Sequence, residues 1–131
     1  MKSRDTLVRL KRFQAEEKRR RVTQIDAMIA EFSRMAADLD REIANEEQRT
    51  GVGDPGHFAY STYARAARAR RDNLHTSVTE LRGQLDEAKA RLEEAAAELS
   101  KVQTMEVRDR NSDVARDRTD TNGASLRIAG A

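Results

Sequence analysis

Between Leu74 and Val102, apolar residues fall at Leu74, Val78, Leu81, Leu85, Ala88, Leu92, Ala95, Leu99 and Val102. The steps alternate four and three throughout, which is a heptad seam with d at Leu74 and a at Val78. A helix cannot bury so narrow a stripe by itself, so this one has to lie along another helix. Four heptads of strict spacing specify a coiled coil and say little about its purpose.

Composition agrees with a thin helical core. In 131 residues, 37% are hydrophobic and 37% charged, with one Pro and neither Trp nor Cys. That is at most one domain, with too little aromatic bulk for a deep globular interior. The absence of Cys excludes disulfides and thiolate metal sites, and suits a reducing compartment. No apolar run reaches the 18 residues a membrane span needs, and MKSRDTLVRL has no apolar h-region, so the expected location is cytoplasmic, without membrane insertion.

Ser3 is a candidate N-cap for helix 1, with Asp5 in the first turn. Leu7, Leu10 and Phe13 mark one apolar face. After QAEEKRRR the seam resumes at Val22, Ile25, Ile29, Phe32, Ala36, Leu39 and Ile43. Two heptads on from Leu7 lands on Arg21, one residue short of Val22, so the spacing predicts a local drift of the stripe over 14–21. Neither Gly nor Pro occurs before Gly51, which places helix 1 at about residues 4–49. TGVGDPGHF then interrupts it: Gly51 and Gly53 can end a helix in the left-handed conformation, and Asp54-Pro55-Gly56 signals a turn, over about 50–60. Ser61 or Thr62 can cap helix 2, expected over about 61–107, with Gly83 on its solvent side. From Arg108 the chain has no period and a polar composition, which predicts a disordered tail over 108–131.

Charge selects how the helices meet. Residues 1–25 carry a net +6 and 26–49 a net −4; residues 61–83 carry +3 and 84–107 carry −3. Folding back at the turn sets opposite signs side by side, so the expected fold is all-α: two long helices forming an antiparallel coiled-coil hairpin over 1–107, with a disordered C-terminal tail. An antiparallel dimer of extended chains satisfies the same charges. The register that pairs Ile43 with Leu74, Leu39 with Val78 and Phe32 with Leu85 sets large residues against small ones and puts Glu46 opposite Arg71. A register one heptad shorter would place Leu39 beside Arg71.

No residues suggest catalysis, a cofactor or a metal. His57 and His75 lie in the turn and on helix 2, with no His/Asp/Glu set at metal-ligand spacing, and Glu46-Glu47 and Glu93-Glu94 point to different sides of a helix. Lys18-Arg19-Arg20-Arg21 has no interleaved aromatics, and reads as a solvated face partly neutralised by Glu93, Glu94 and Glu98 rather than as a nucleic-acid site. The turn is more telling. Three of the five aromatics, Phe58, Tyr60 and Tyr63, lie within six residues there, followed by Arg65, Arg68, Arg70 and Arg71. The rings can staple the turn onto the ends of the helices, but a two-helix tip cannot bury three rings fully, which would leave aromatic area exposed for a partner; both readings stay open.

MKSRDTLVRLKRFQ, the turn HFAYSTYARAARARRDNL and the two-helix layout closely resemble the FliJ family of flagellar export proteins, in its alphaproteobacterial form. The resemblance covers residues 1 to about 107. It implies a non-enzymatic component of the flagellar type III export apparatus, cytoplasmic and peripheral to the inner membrane at the flagellar base. Such a protein would bind the hexameric export ATPase, the cytoplasmic domain of the membrane export gate, and export chaperones. Carried onto this chain, gate contact points to Phe58, Tyr60, Tyr63 and Ala67, with Leu39 and Ile43 opposite, and the ATPase end to Leu7, Leu10 and Phe13. Arg70 and Arg71 depart from the wider family's pattern in the gate-facing segment. The fold alone equally permits a coiled-coil adaptor or chaperone outside flagellar export.

Overall fold

The computed structural model describes the backbone of residues 2–129 and the side chains of residues 3–119. Helix α1 spans Lys2–Thr50 and helix α2 spans Thr62–Ala129, with no strand among the described residues. The fold is all-α, a hairpin of two long helices. Asp5 falls in the first turn of α1, and Ser3 lies just inside the helix rather than before it. The chain divides into two compact units, one of residues 19–90 and one in which residues 1–18 join residues 91–131.

In the unit of residues 19–90, the apolar spacing becomes a packed seam. Ile25, Leu81 and Ala88 form one buried cluster, with Val22, Ile29, Phe32 and Leu85 against it. Leu39, Ile43 and Ala67 form a second, with Leu74 at its margin. Four contacts fix the antiparallel sense: Asp40 with Arg71 (3.0 Å), Glu42 with Tyr63 (3.1 Å), Glu46 with Ser61 (2.8 Å) and Glu47 with Tyr60 (2.7 Å). Numbers on α2 fall as those on α1 rise.

These contacts correct the register. Spacing alone favours Ile43 against Leu74 and Glu46 opposite Arg71. Instead Ile43 shares its cluster with Ala67, and Arg71 bonds Asp40, which is the register one heptad shorter. Arginine is the reason. An Arg in a seam looks costly, but an aliphatic stem can cover apolar surface while the guanidinium reaches out to a carboxylate. Here it reaches Asp40 and Asp72, both at 3.0 Å, and only 21% of the side chain stays exposed. These bonds hold the Arg71 pKa above its ordinary value.

In the other unit the structure revises the stripe of α1. Val8 and Ala15 are buried, and Leu7, Leu10 and Phe13 are exposed. Val8, Lys11, Ala15, Lys18 and Val22 keep alternate steps of three and four, so one heptad grid serves α1 and no drift is needed. Bulk misleads here, because the seam uses Val and Ala while larger residues point elsewhere. Lys11, a seam position, places its ammonium 2.9 Å from Glu98, and this bond lowers the Glu98 pKa. Arg4 meets Asp109 at 3.0 Å. Ala95 completes the buried set on α2.

Helix α2 also continues past the expected end at Val107, to Ala129. No Gly or Pro intervenes before Gly123, and local bonds suit a helix: Arg110 with Glu106 four residues back, and the Thr119 hydroxyl donating to the Ala115 carbonyl. The expected tail of 108–131 is therefore helical as far as its backbone is described. Its side chains from 120 on lie outside the described residues.

The turn closes as its residues dictate. Gly51 takes φ +77° and its N–H donates to the Glu47 carbonyl at 2.9 Å, a left-handed cap; Gly53 does not adopt that conformation. Nothing lies within 4 Å of a Cβ added at Gly51, so Gly51→Ala isolates the dihedral cost. Thermal unfolding of that variant should show a loss of about 1 kcal/mol. Ser61 caps α2, its Oγ accepting the Ala64 N–H at 3.2 Å. Gly83 is exposed, and a Cβ added there would meet nothing within 4 Å, as expected of a solvent-side glycine.

Candidate partner-binding surfaces

The tip, residues 50 to about 71, is built on the Asp54-Pro55-Gly56-His57 turn. The Asp54 carboxylate accepts the Gly56 N–H at 2.9 Å, and its carbonyl accepts the His57 N–H at 3.0 Å. His57 then accepts twice, at Nδ1 from the Ala59 N–H (3.0 Å) and at its carbonyl from the Tyr60 N–H (3.1 Å). The tip is ordered by its own hydrogen bonds.

The three tip aromatics divide. Tyr60 is the staple: only 5% exposed, with its hydroxyl donating to Glu47 Oε1 and the Arg65 guanidinium 5.5 Å from its ring centroid. Burial, followed by the Glu47 bond, raises its pKa. Tyr63 is half exposed, and its hydroxyl donates to Glu42, which raises its pKa too. Phe58 is 95% exposed. Of the other positions assigned to gate contact, Leu39, Ile43 and Ala67 are buried in the seam, so a partner reaches them only if the helices separate. The surface that faces outward is Phe58 and Tyr63, with Arg65 and Arg70 exposed beside them.

Glu46 locks the tip to α1. It accepts from Arg49 (2.7 Å) and from Ser61 Oγ (2.8 Å), and these two bonds lower its pKa from 4.5 to about 2. Because the folded value lies below the ordinary one, this carboxylate stabilises the closed turn fully above pH 4.5 and loses its effect as pH falls towards 2. A carboxyl-carbon NMR titration should find Glu46 still ionised at pH 3.5, where an exposed glutamate is mostly protonated.

In the unit formed with residues 1–18, Leu7, Leu10 and Phe13 are 39%, 47% and 57% exposed. Spacings of three place them along one side of α1, outside the Val8–Ala15 seam. On the basic run, Arg19 and Arg20 are engaged in contacts of their own. Among the described residues no group of three His, Cys, Asp or Glu side chains could hold a metal ion, and no helix is long and apolar enough to cross a membrane. Comparison with family models, with characterised proteins and with solved structures finds no match to the chain.

Proposed function

We propose that this chain is a non-enzymatic part of the flagellar type III protein export apparatus, a stalk linking the export ATPase ring to the membrane export gate and handling export chaperones. The likeness of residues 1–14 and 57–74 to the FliJ family motivates the reading. One observation carries it: each unit leaves apolar side chains outside its own seam, Phe58 and Tyr63 in one, Leu7, Leu10 and Phe13 in the other. A protein that joins two partners needs two such surfaces, and its seam has to stay intact while both are used. The stalk itself does no chemistry.

The role assigns Leu7, Leu10 and Phe13 to the ATPase and the tip to the gate domain, with the protein at the cytoplasmic face of the inner membrane. Pull-down of the full chain with purified export ATPase and gate cytoplasmic domain tests this. Capture of both is expected, with ATPase capture lost in a Leu7→Ala, Leu10→Ala, Phe13→Ala triple variant. A deletion strain should be non-motile with filament protein unsecreted. Capture of neither partner, with motility intact, contradicts the role and favours an adaptor outside flagellar export.

A further inference from the structure

We propose that the open groove between α1 and α2 beside Ala36 and Val78 receives a helix of a partner protein, which brings a carboxylate to Arg82 and an apolar side chain to the groove floor. The site goes beyond the stalk reading and uses none of the side chains assigned to either surface above.

A ladder of facing residues runs along this flank of the seam. On α1, Asp26, Ser33, Asp40 and Glu47 recur every seven residues, each one position past Ile25, Phe32, Leu39 and Glu46. On α2, Arg68, His75, Arg82 and Lys89 recur likewise, one position past Ala67, Leu74, Leu81 and Ala88. Glu47 meets Arg68 at 3.7 Å, and in the same antiparallel register Asp40 falls by His75, Ser33 by Arg82 and Asp26 by Lys89. Three of these four rungs set a carboxylate against a basic side chain. At the Ser33 rung the carboxylate is missing, and among the described residues the Arg82 side chain has neither an ion pair nor a hydrogen bond.

The groove opens at that rung. It has a volume of about 380 Å³, with Ser33, Ala36 and Ala37 on its α1 side and His75, Val78 and Arg82 on its α2 side. Ala36 and Val78 are buried, so the floor is apolar; Ser33, Ala37, His75 and Arg82 are exposed at the rim. The one carboxylate of the lining, Asp40, is already bound by Arg71 at 3.0 Å. That leaves Arg82, with the His75 imidazole on the same rim, as the unmatched donor of the groove. Such a volume is at the low end for enclosing a small ligand, and suits side chains delivered from outside. Short residues on α1 let another helix come close, and the furrow between two packed helices accepts a third along it.

Charge narrows the occupant. Two copies of this chain paired about a twofold axis through the groove would set Arg82 against Arg82, which like-charge repulsion opposes. A nucleic-acid backbone or an anionic lipid surface needs a field of cations, whereas this flank also carries Asp26, Asp40 and Glu47. One carboxylate on an apolar helix face matches one unpaired guanidinium above an apolar floor.

NMR titration of the full labelled chain with a stapled alanine-rich helical peptide, carrying Glu and Leu one turn apart, tests this. Shifts are expected at the Ala36 and Ala37 methyls and at Arg82 Nε, with binding about fivefold weaker when the peptide's Glu is replaced by Gln. Arg82→Gln should erase that difference at an unchanged melting temperature, since Arg82 bonds nothing among the described residues. Ser33→Glu supplies the missing rung from within the chain. It should weaken binding to the same degree while its melting temperature equals or exceeds that of the wild type. No binding to the wild type, equal binding of the two peptides, or wild-type affinity in Ser33→Glu would each overturn the proposal. So would a wild-type dimer that Arg82→Gln dissolves, which would give the groove to a second copy.

Discussion

Ile25→Ala is expected to lower stability by about 3 kcal/mol, seen as a fall in the urea midpoint. Ile25 is 1% exposed and sits between Leu81 and Ala88, with Val22, Ile29, Phe32 and Leu85 around that cluster. Truncation there removes buried carbons and leaves a void that the paired helices cannot readily collapse. Leu7→Ala, Leu10→Ala and Phe13→Ala should each change stability by no more than about 0.5 kcal/mol, since all three are exposed. The comparison separates two grids for α1. A large loss at Phe13 would mean that the bulky residues, not Val8 and Ala15, form the seam.

Tyr60→Ala carries the second large effect, about 3 kcal/mol, because the ring closes the hairpin's end. The loss combines a buried aromatic side chain with the Glu47 bond and the Arg65 contact. Tyr60→Phe keeps the ring and removes only the bond, at about 1 kcal/mol. Tyr63→Ala should cost less than Tyr60→Ala, since Tyr63 is half exposed and its hydroxyl meets Glu42 at the surface. Urea unfolding of the three variants gives the order. Equal losses at Tyr60 and Tyr63 would contradict the division of the tip into staple and presented surface.

Much of the fold was legible from spacing. The steps of α2 from Leu74 to Ala88, the stop at Gly51 and the cap at Ser61 all follow from residue type, because heptads, left-handed glycine and hydroxyl caps are local rules. The features missed share a cause, which is that side-chain length escapes a binary pattern. Arg71 looks wrong in a seam until its stem and its Asp40 partner are considered together, and that choice moves the register by a heptad. Lys11 hides the seam position between Val8 and Ala15 in the same way. Beyond Val107 a polar composition without a period does not by itself exclude helix, since Arg110 and Glu106, four residues apart, pair along α2.

At the tip, the concentration of aromatics was visible and their roles were not. Which ring turns inward depends on where Glu42 and Glu47 lie on the facing helix, and so on the register. Tyr60, adjacent to the capping Ser61, meets Glu47, and Phe58, two residues earlier, has only His57 to lie on. Helix positions of Leu39, Ile43 and Ala67 place them in the seam whatever else they do.

Because the chain has no Cys, paired cysteines report the register directly. Ile43→Cys with Ala67→Cys should form an intramolecular disulfide under mild oxidation faster than Ile43→Cys with Leu74→Cys, and should run as a monomer on a non-reducing gel. Faster bridging of the 43/74 pair, or bridges only between chains, would contradict the hairpin in this register and the two surfaces built on it.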